Sequence, residues 1–278
     1  MKKILTALLL LITVFSYSQS TTLVISQVYG GGGGTTGTYT NDYVELHNVS
    51  GTSQSIAGMS LQYGSSTGQF GSTATNIYAL PSASIPAGGY YLVQLSAAGT
   101  GGVALPVTPD AATTNLSMSG TNGKVALANQ TTALGCGATA TPCTIPAANI
   151  IDLVAWGTAN NAEGGASVNN GVALTSTQGG VRKNSGCTET NNNNADFDVI
   201  TAPVPRNSAS PVFTCTAAAP ALTITSLLAT FSNVCINTTT GPNTFTISGS
   251  NLTTSDVTVG ALAGYTYSTT AGGTYTAS

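Results

Sequence analysis

Short apolar runs with a period of two, each closed off by Gly, Pro, Asn or Ser, constrain this chain more than any other feature. Val44 and Leu46 share one face of such a run, with Tyr43, Glu45 and His47 on the other. Leu23 and Ile25 form an earlier run. Met59, Leu61 and Tyr63 follow a Gly58 turn, and Tyr91, Val93 and Leu95 follow Pro86-Ala87-Gly88-Gly89. Val125 and Leu127 follow Asn122-Gly123, a hairpin-type turn signal. Ile150 to Trp156 is a longer apolar run. A period of two is the spacing of a strand with one face on a core. Many short strands with such punctuation predict an all-β sandwich or barrel. No stretch combines helical spacing with helix caps.

Charge is the second constraint. Charged residues make up 5% of the 278-residue chain, against a norm of about 25%. Disorder normally goes with high net charge and few apolar residues. Here the net charge is −3 and hydrophobic residues reach 41%, so a folded chain rich in hydroxyl groups is expected. With so few charges, the position of each one requires a reason.

The N-terminus predicts export. Lys2 and Lys3 precede an apolar stretch from Ile4 to Phe15, and Ser16 and Ser18 place small residues before a cut at Gln19. Residues 1–20 therefore read as a signal peptide. The apolar run is shorter than the roughly 20 residues a membrane span needs, and no later segment could span. Two of the six bases leave with the signal, so four bases face nine acids, a net charge of 4 − 9 = −5. This balance excludes a basic footprint for nucleic acid.

In an exported chain the five cysteines read as disulfides first. Cys136 and Cys143 are close enough for a local staple. Cys187 and Cys215 bracket a polar loop and would tie it to the end of the first domain, leaving Cys235 over. Thr216 to Ala221 reads as a small-residue linker. The expected organisation is a first domain over 21–215, a linker over 216–221 and a partial second β-sandwich module over 222–278. The chain stops in mid-pattern, so it reads as the front of a longer protein.

Several stretches together resemble the lamin-tail domain of bacterial exported proteins. They are Ile25-Ser26-Gln27-Val28-Tyr29 with the glycines from Gly30, Asn41-Asp42-Tyr43-Val44-Glu45-Leu46-His47-Asn48, Gly58-Met59-Ser60-Leu61-Gln62-Tyr63 and Pro86-Ala87-Gly88-Gly89-Tyr90-Tyr91-Leu92. Ile151 to Gly157, Gly186 to Phe197 and Pro205-Arg206-Asn207-Ser208 complete the set. Met59 departs from the tryptophan often found there. The resemblance covers roughly residues 22–215. It implies an immunoglobulin-like β-sandwich that binds or scaffolds and does not catalyse. The final segment resembles an immunoglobulin-like module of bacterial surface proteins. Two roles are implied: a binding module of an exported surface protein whose partner is a protein or glycan, or the accessory front end of a secreted metal-dependent nuclease or phosphoesterase whose catalytic domain lies beyond residue 278.

The site candidates follow from the few charges. Glu45 with Asp42 could bind a cation or an amine. The preferred reading is structural: an outward-facing Glu45 accepts from amides of the five-glycine turn and pins that loop to the second strand. Gly30 to Gly34 lacks the Lys and helix of a phosphate loop. Asp196 and Asp198, with Glu189 near, form a hard-oxygen set suited to Ca²⁺, the alternative being a polar loop whose Asx side chains bond their own backbone. His47 stands alone with no Gly-x-Ser-x-Gly elbow and reads as an exposed strand residue. Trp156 and the tyrosines read as packing before they read as a sugar platform. Asp152 shares strand parity with Trp156, and such an acid, if buried, needs partners.

Overall fold

A computed structural model describes residues 20, 22–145 and 147–215, and beyond them 221–224, 244, 246–250, 260–261, 266–268 and 273–276. The signal peptide, all but its last residue, and Cys235 lie outside the described residues, as does the linker except for Ala221. The chain divides into two compact units, Met1–Cys215 and Thr216–Ser278.

In chain order the strands of the first unit are β1 (Leu23–Tyr29), β2 (Asp42–Asn48), β3 (Gln54–Ser55), β4 (Ser60–Ser65), β5 (Ile77–Ala79), β6 (Ser84–Ile85) and β7 (Tyr90–Leu95). They continue with β8 (Ala111–Ala112), β9 (Gly123–Ala128), β10 (Ile150–Trp156), β11 (Gln178–Arg182) and β12 (Phe197–Thr201). One sheet has the order β12-β11-β1-β2-β7-β8 and the other β10-β9-β4-β5, with β3 and β6 forming a separate pair. In the second unit, β13 (Ala221–Ile224) pairs antiparallel with β14 (Ile247–Ser250).

The alternation seen in the sequence becomes the core. Ile25, Val44, Leu46, Val93 and Leu95 from the larger sheet pack with Leu61, Val125, Leu127, Val154 and Trp156 from the smaller. The two sheets form the immunoglobulin-like sandwich expected of the all-β pattern. Trp156 Nε1 donates to Ser119 O at 2.9 Å, so its polar atom is satisfied inside the core.

The parity of β2 is as expected, but its second face is not exposed. Tyr43, Glu45 and His47 each have 0% relative exposure. The chain after β12 folds back over them: Pro203 O accepts from Tyr39 and Tyr43, Val204 O from Gln27, and Phe213 O lies 3.0 Å from His47 Nε2. Tyr29, Tyr39, Tyr43 and Leu92 make a small second core beneath that strap. The expectation of an exposed Glu45 and His47 is therefore corrected. A period of two assigns faces and cannot report that a distant segment covers one of them.

Candidate functional site

Three buried polar centres stand out, two on this covered face and one between the sheets. The first is Glu45. A register shift between Ile25 and Gln27 interrupts the β1–β2 ladder, and such a bulge presents two residues to one partner. Ser26 Oγ donates to Glu45 Oε1 at 2.6 Å and Gln27 Nε2 to Oε2 at 3.1 Å. Arg206 completes the shell from the strap, through its backbone N–H at 2.5 Å and Nη2 at 2.6 Å. Its Nη1 donates to Tyr90 Oη at 2.7 Å, and the guanidinium lies 3.9 Å from the Tyr90 ring centroid. Burial raises the Glu45 pKa, against the pull of Arg206. Glu45 is thus the fastening point of the strap. The glycine loop is held by Asp42, whose Oδ1 accepts from Gly32 N–H and Oδ2 from Met118 N–H, both at 2.8 Å. A Cβ on Gly31 or Gly32 would collide with the backbone of Ser176 or Asn41, so these glycines serve close packing. Burial pushes the Asp42 carboxyl up to about 7, opposed by those two amides.

The second centre is Arg182, at the end of β11, 1% exposed. Its Nη2 lies 2.8 Å from Asp152 Oδ2, its Nη1 contacts Glu189 Oε2, and Asp196 Oδ2 stands 3.7 Å away. Asp152 also accepts from Ile25 N–H at 2.5 Å, so this acid of the smaller sheet holds the backbone of the larger one. The partners that a buried Asp152 requires are thus present. Glu163 joins the group through Asn193 Nδ2 at 3.0 Å. Its carboxyl is pushed up to about 10, first by burial and then by Asp152 and Glu189, with Arg182 opposing. Glu189 is raised to about 7 by burial and by Asp152. Asp152, Glu163 and Glu189 bring carboxylate oxygens within 4.8 Å of one another, as a metal ligand set would. The guanidinium already supplies positive charge there.

The calcium set expected from the sequence does not converge. Asp196 is saturated by Thr190 N–H at 2.9 Å, Thr190 Oγ1 at 2.6 Å and Asn192 N–H at 3.2 Å. Glu189 turns to Arg182, while Asp198 lies on β12 with its side chain 59% exposed, 3.7 Å from Lys183. The Asx reading describes the loop: Asn192 caps a short helical turn by accepting from Ala195 N–H at 3.1 Å. Glu163, Arg182 and Arg206 carried no assignment in the sequence. The scarcity of charge was the signal that could have found them.

The third centre is His47, stacked on Tyr90 at 4.4 Å between ring centroids. Burial lowers its pKa, against the backbone carbonyls of Gly186, Phe213 and Gly88. Beside it Cys187 and Cys215 form a disulfide; Cys136 and Cys143 form the other. Both pairs are those expected, the first from closeness in sequence and the second from the polar loop it brackets.

Between β11, β12 and the strap opens a cavity of about 340 Å³ lined by Gln27, Lys183, Asn184, Ser185, Asp198 and Arg206, among others. Asn184 and Ser185 there hold φ of 51° and 55°, a region that non-glycine residues adopt seldom and usually where tertiary structure demands it.

The Lamin Tail Domain family model matches residues 16–186, more than half of the chain. The chain belongs to that family. No curated protein matches it. Arg206 and the rest of the strap lie beyond the matched residues, so the covering of this lamin-tail domain's β2 face is a feature of the structure and not of the match. No helix among the described residues is long and apolar enough to cross a membrane.

Proposed function

We propose that this chain is a binding or scaffolding module of an exported protein, acting at the cell surface or outside the cell on a protein or glycan partner. Family membership supports a module that binds without catalysing. The observation that carries the reading is where the charges go. Of the twelve described charged residues from Asp42 to Arg206, Asp42, Glu45, Lys124, Asp152, Glu163, Arg182 and Asp196 are buried and Asp198 alone is exposed. What remains outside is largely hydroxyl, amide and backbone. Such a surface recognises partners by short-range neutral hydrogen bonds, and charge steering has little to act on.

Two disulfides and the Lys2-Lys3 signal support export. The test is binding of the signal-free chain to arrayed glycans and to envelope extracts at 50 and 500 mM salt, in parallel with a phosphodiester hydrolysis assay. Retention that is insensitive to salt, without turnover, is the expected result. Binding that collapses with salt, or turnover abolished by changing one acid, overturns the reading.

A further inference from the structure

The mechanism of strap closure leaves one polar atom unused. His47 is fully buried, and its Nδ1 is the one buried side-chain polar atom among the described residues without a hydrogen-bond partner. The other ring nitrogen decides its chemistry. Nε2 lies 3.3 Å from Gly88 O and 3.0 Å from Phe213 O. Carbonyls only accept, so Nε2 carries a hydrogen toward Gly88 and Phe213, and in the neutral ring Nδ1, beside the Gly186 backbone but with no hydrogen bond of proper geometry, keeps its lone pair. A ring nitrogen of His47 and the sulfurs of Cys187 and Cys215 all lie within 4.8 Å of one another, and Nδ1 faces Gly186, the neighbour of Cys187.

We propose that once the Cys187–Cys215 disulfide is reduced, His47 Nδ1 and the two cysteine sulfurs bind a divalent cation of the zinc class. Two thiolates, one imidazole and one open position make a ligand set that zinc uses. An imidazole whose other N–H is held by a backbone carbonyl is the usual orientation of a metal-ligating histidine. That carbonyl comes from Phe213, two residues from Cys215, so one segment supplies both a ligand and the group that aims the ring. Tyr90 fixes the ring plane. At Gly186, next to Cys187, a Cβ would stand 2.8 Å from Nδ1, so glycine there lets the backbone approach the lone pair. Tetrahedral zinc separates its ligand atoms by roughly 3.3–3.8 Å, from its Zn–N and Zn–S bond lengths. The sulfurs must part and the imidazole must close slightly, motions that opening the S–S bond permits.

The chemistry balances. A dithiol reductant gives two electrons and two protons to the disulfide and becomes a disulfide itself, leaving two protein thiols. The cation then displaces both thiol protons. Its two positive charges meet two thiolates and a neutral imidazole, so the loaded site is neutral and suits burial. Metal and oxidant therefore compete for the same two sulfurs.

The test uses the signal-free chain with Cys136, Cys143 and Cys235 changed to Ser, reduced by a phosphine without oxygen and titrated with Co²⁺. The expected result is tetrahedral cobalt bands with thiolate-to-cobalt charge transfer in the reduced chain and none in the oxidised chain. His47→Gln should weaken Co²⁺ binding by about tenfold or more, on the scale of ligand-shell changes, and alter the bands. Cys215→Ala should lose about half the charge-transfer intensity. Absence of bands overturns the proposal, as do bands and affinity unaltered by His47→Gln. So does a reduced, Co²⁺-loaded chain that has lost its native near-ultraviolet circular dichroism.

Discussion

Glu45 and Arg182 are both buried charges inside one sandwich, and they are solved in opposite ways. Glu45 is one acid facing one guanidinium, with Ser26 and Gln27 filling its remaining lone pairs. Arg182 is one guanidinium facing Asp152, Glu189 and Asp196, with Glu163 close behind. The first pairs one acid with one base, with Arg206 opposing the rise that burial imposes on Glu45, and serves as a fastener. In the overloaded centre Glu163 is pushed up to about 10 and Glu189 to about 7, because holding a proton is cheaper than keeping an unpaired carboxylate out of water. The first centre closes a strap, whereas the second joins two sheets and a loop.

The largest test of this contrast is Arg182→Met. Removing the shared cation strands its carboxylates, and breaking a buried pair from one side costs about 3–5 kcal/mol. Denaturant unfolding should show a loss in that range at pH 8, shrinking at pH 5, where Glu189, raised to about 7, holds a proton. A loss independent of pH would break the distinction.

Glu45→Ala should come next, at about 2–4 kcal/mol, because Arg206 is partly exposed and can recover some hydration. Proteolysis should then cut within residues 203–213 faster than elsewhere. An unchanged melting temperature would remove Glu45 as the fastener.

A smaller effect concerns pH. Asp42 is raised from 3.8 to about 7 and Glu189 from 4.5 to about 7. Between those values the folded chain binds more protons than the unfolded one, so their stabilisation is complete in acid and is lost as pH rises through 7. His47 is lowered, so its contribution runs the other way, lost as pH falls below 6.5. The two carboxyls should win, and the melting temperature should fall from pH 5 to pH 7.5. Asp42→Asn should melt lower throughout but with a flatter profile, which a melting series across that range reads directly.

Glu163→Gln should do least. A carboxyl pushed up to about 10 is protonated in the fold from acid to neutral pH, so at pH 5, near the unfolded value, the amide is a near replacement and the expected change is within about 1 kcal/mol, turning to a gain as pH rises and the unfolded acid ionises. A loss comparable to that of Arg182→Met would mean that Glu163 is ionised and the centre is not overloaded.

Much of the framework was legible in the residues. Alternation at Val44 and Leu46 placed the core, Asn122-Gly123 marked entry to β9, and the closeness of Cys136 and Cys143 paired them, because each rests on short-range geometry; Cys187 and Cys215 were paired by the polar loop they bracket. The site was less legible. Asp196 and Asp198 are neighbours in sequence, yet the first turns inward to Thr190 while the second lies on an open strand. Glu45 and Arg206 are 161 positions apart, and no local pattern signals such a meeting.

The sequence by itself determined the faces of the strands, their punctuation and the scarcity of charge, since these follow from periodicity, turn chemistry and composition; its matched motifs placed it in a family. Only the tertiary structure decided that the Glu45–His47 face is covered, that Asp42 rather than Glu45 holds the glycine loop, and that four acids share Arg182. The reason is physical. A strand fixes where a side chain points, but burial, pairing and protonation depend on what the rest of the chain brings to meet it.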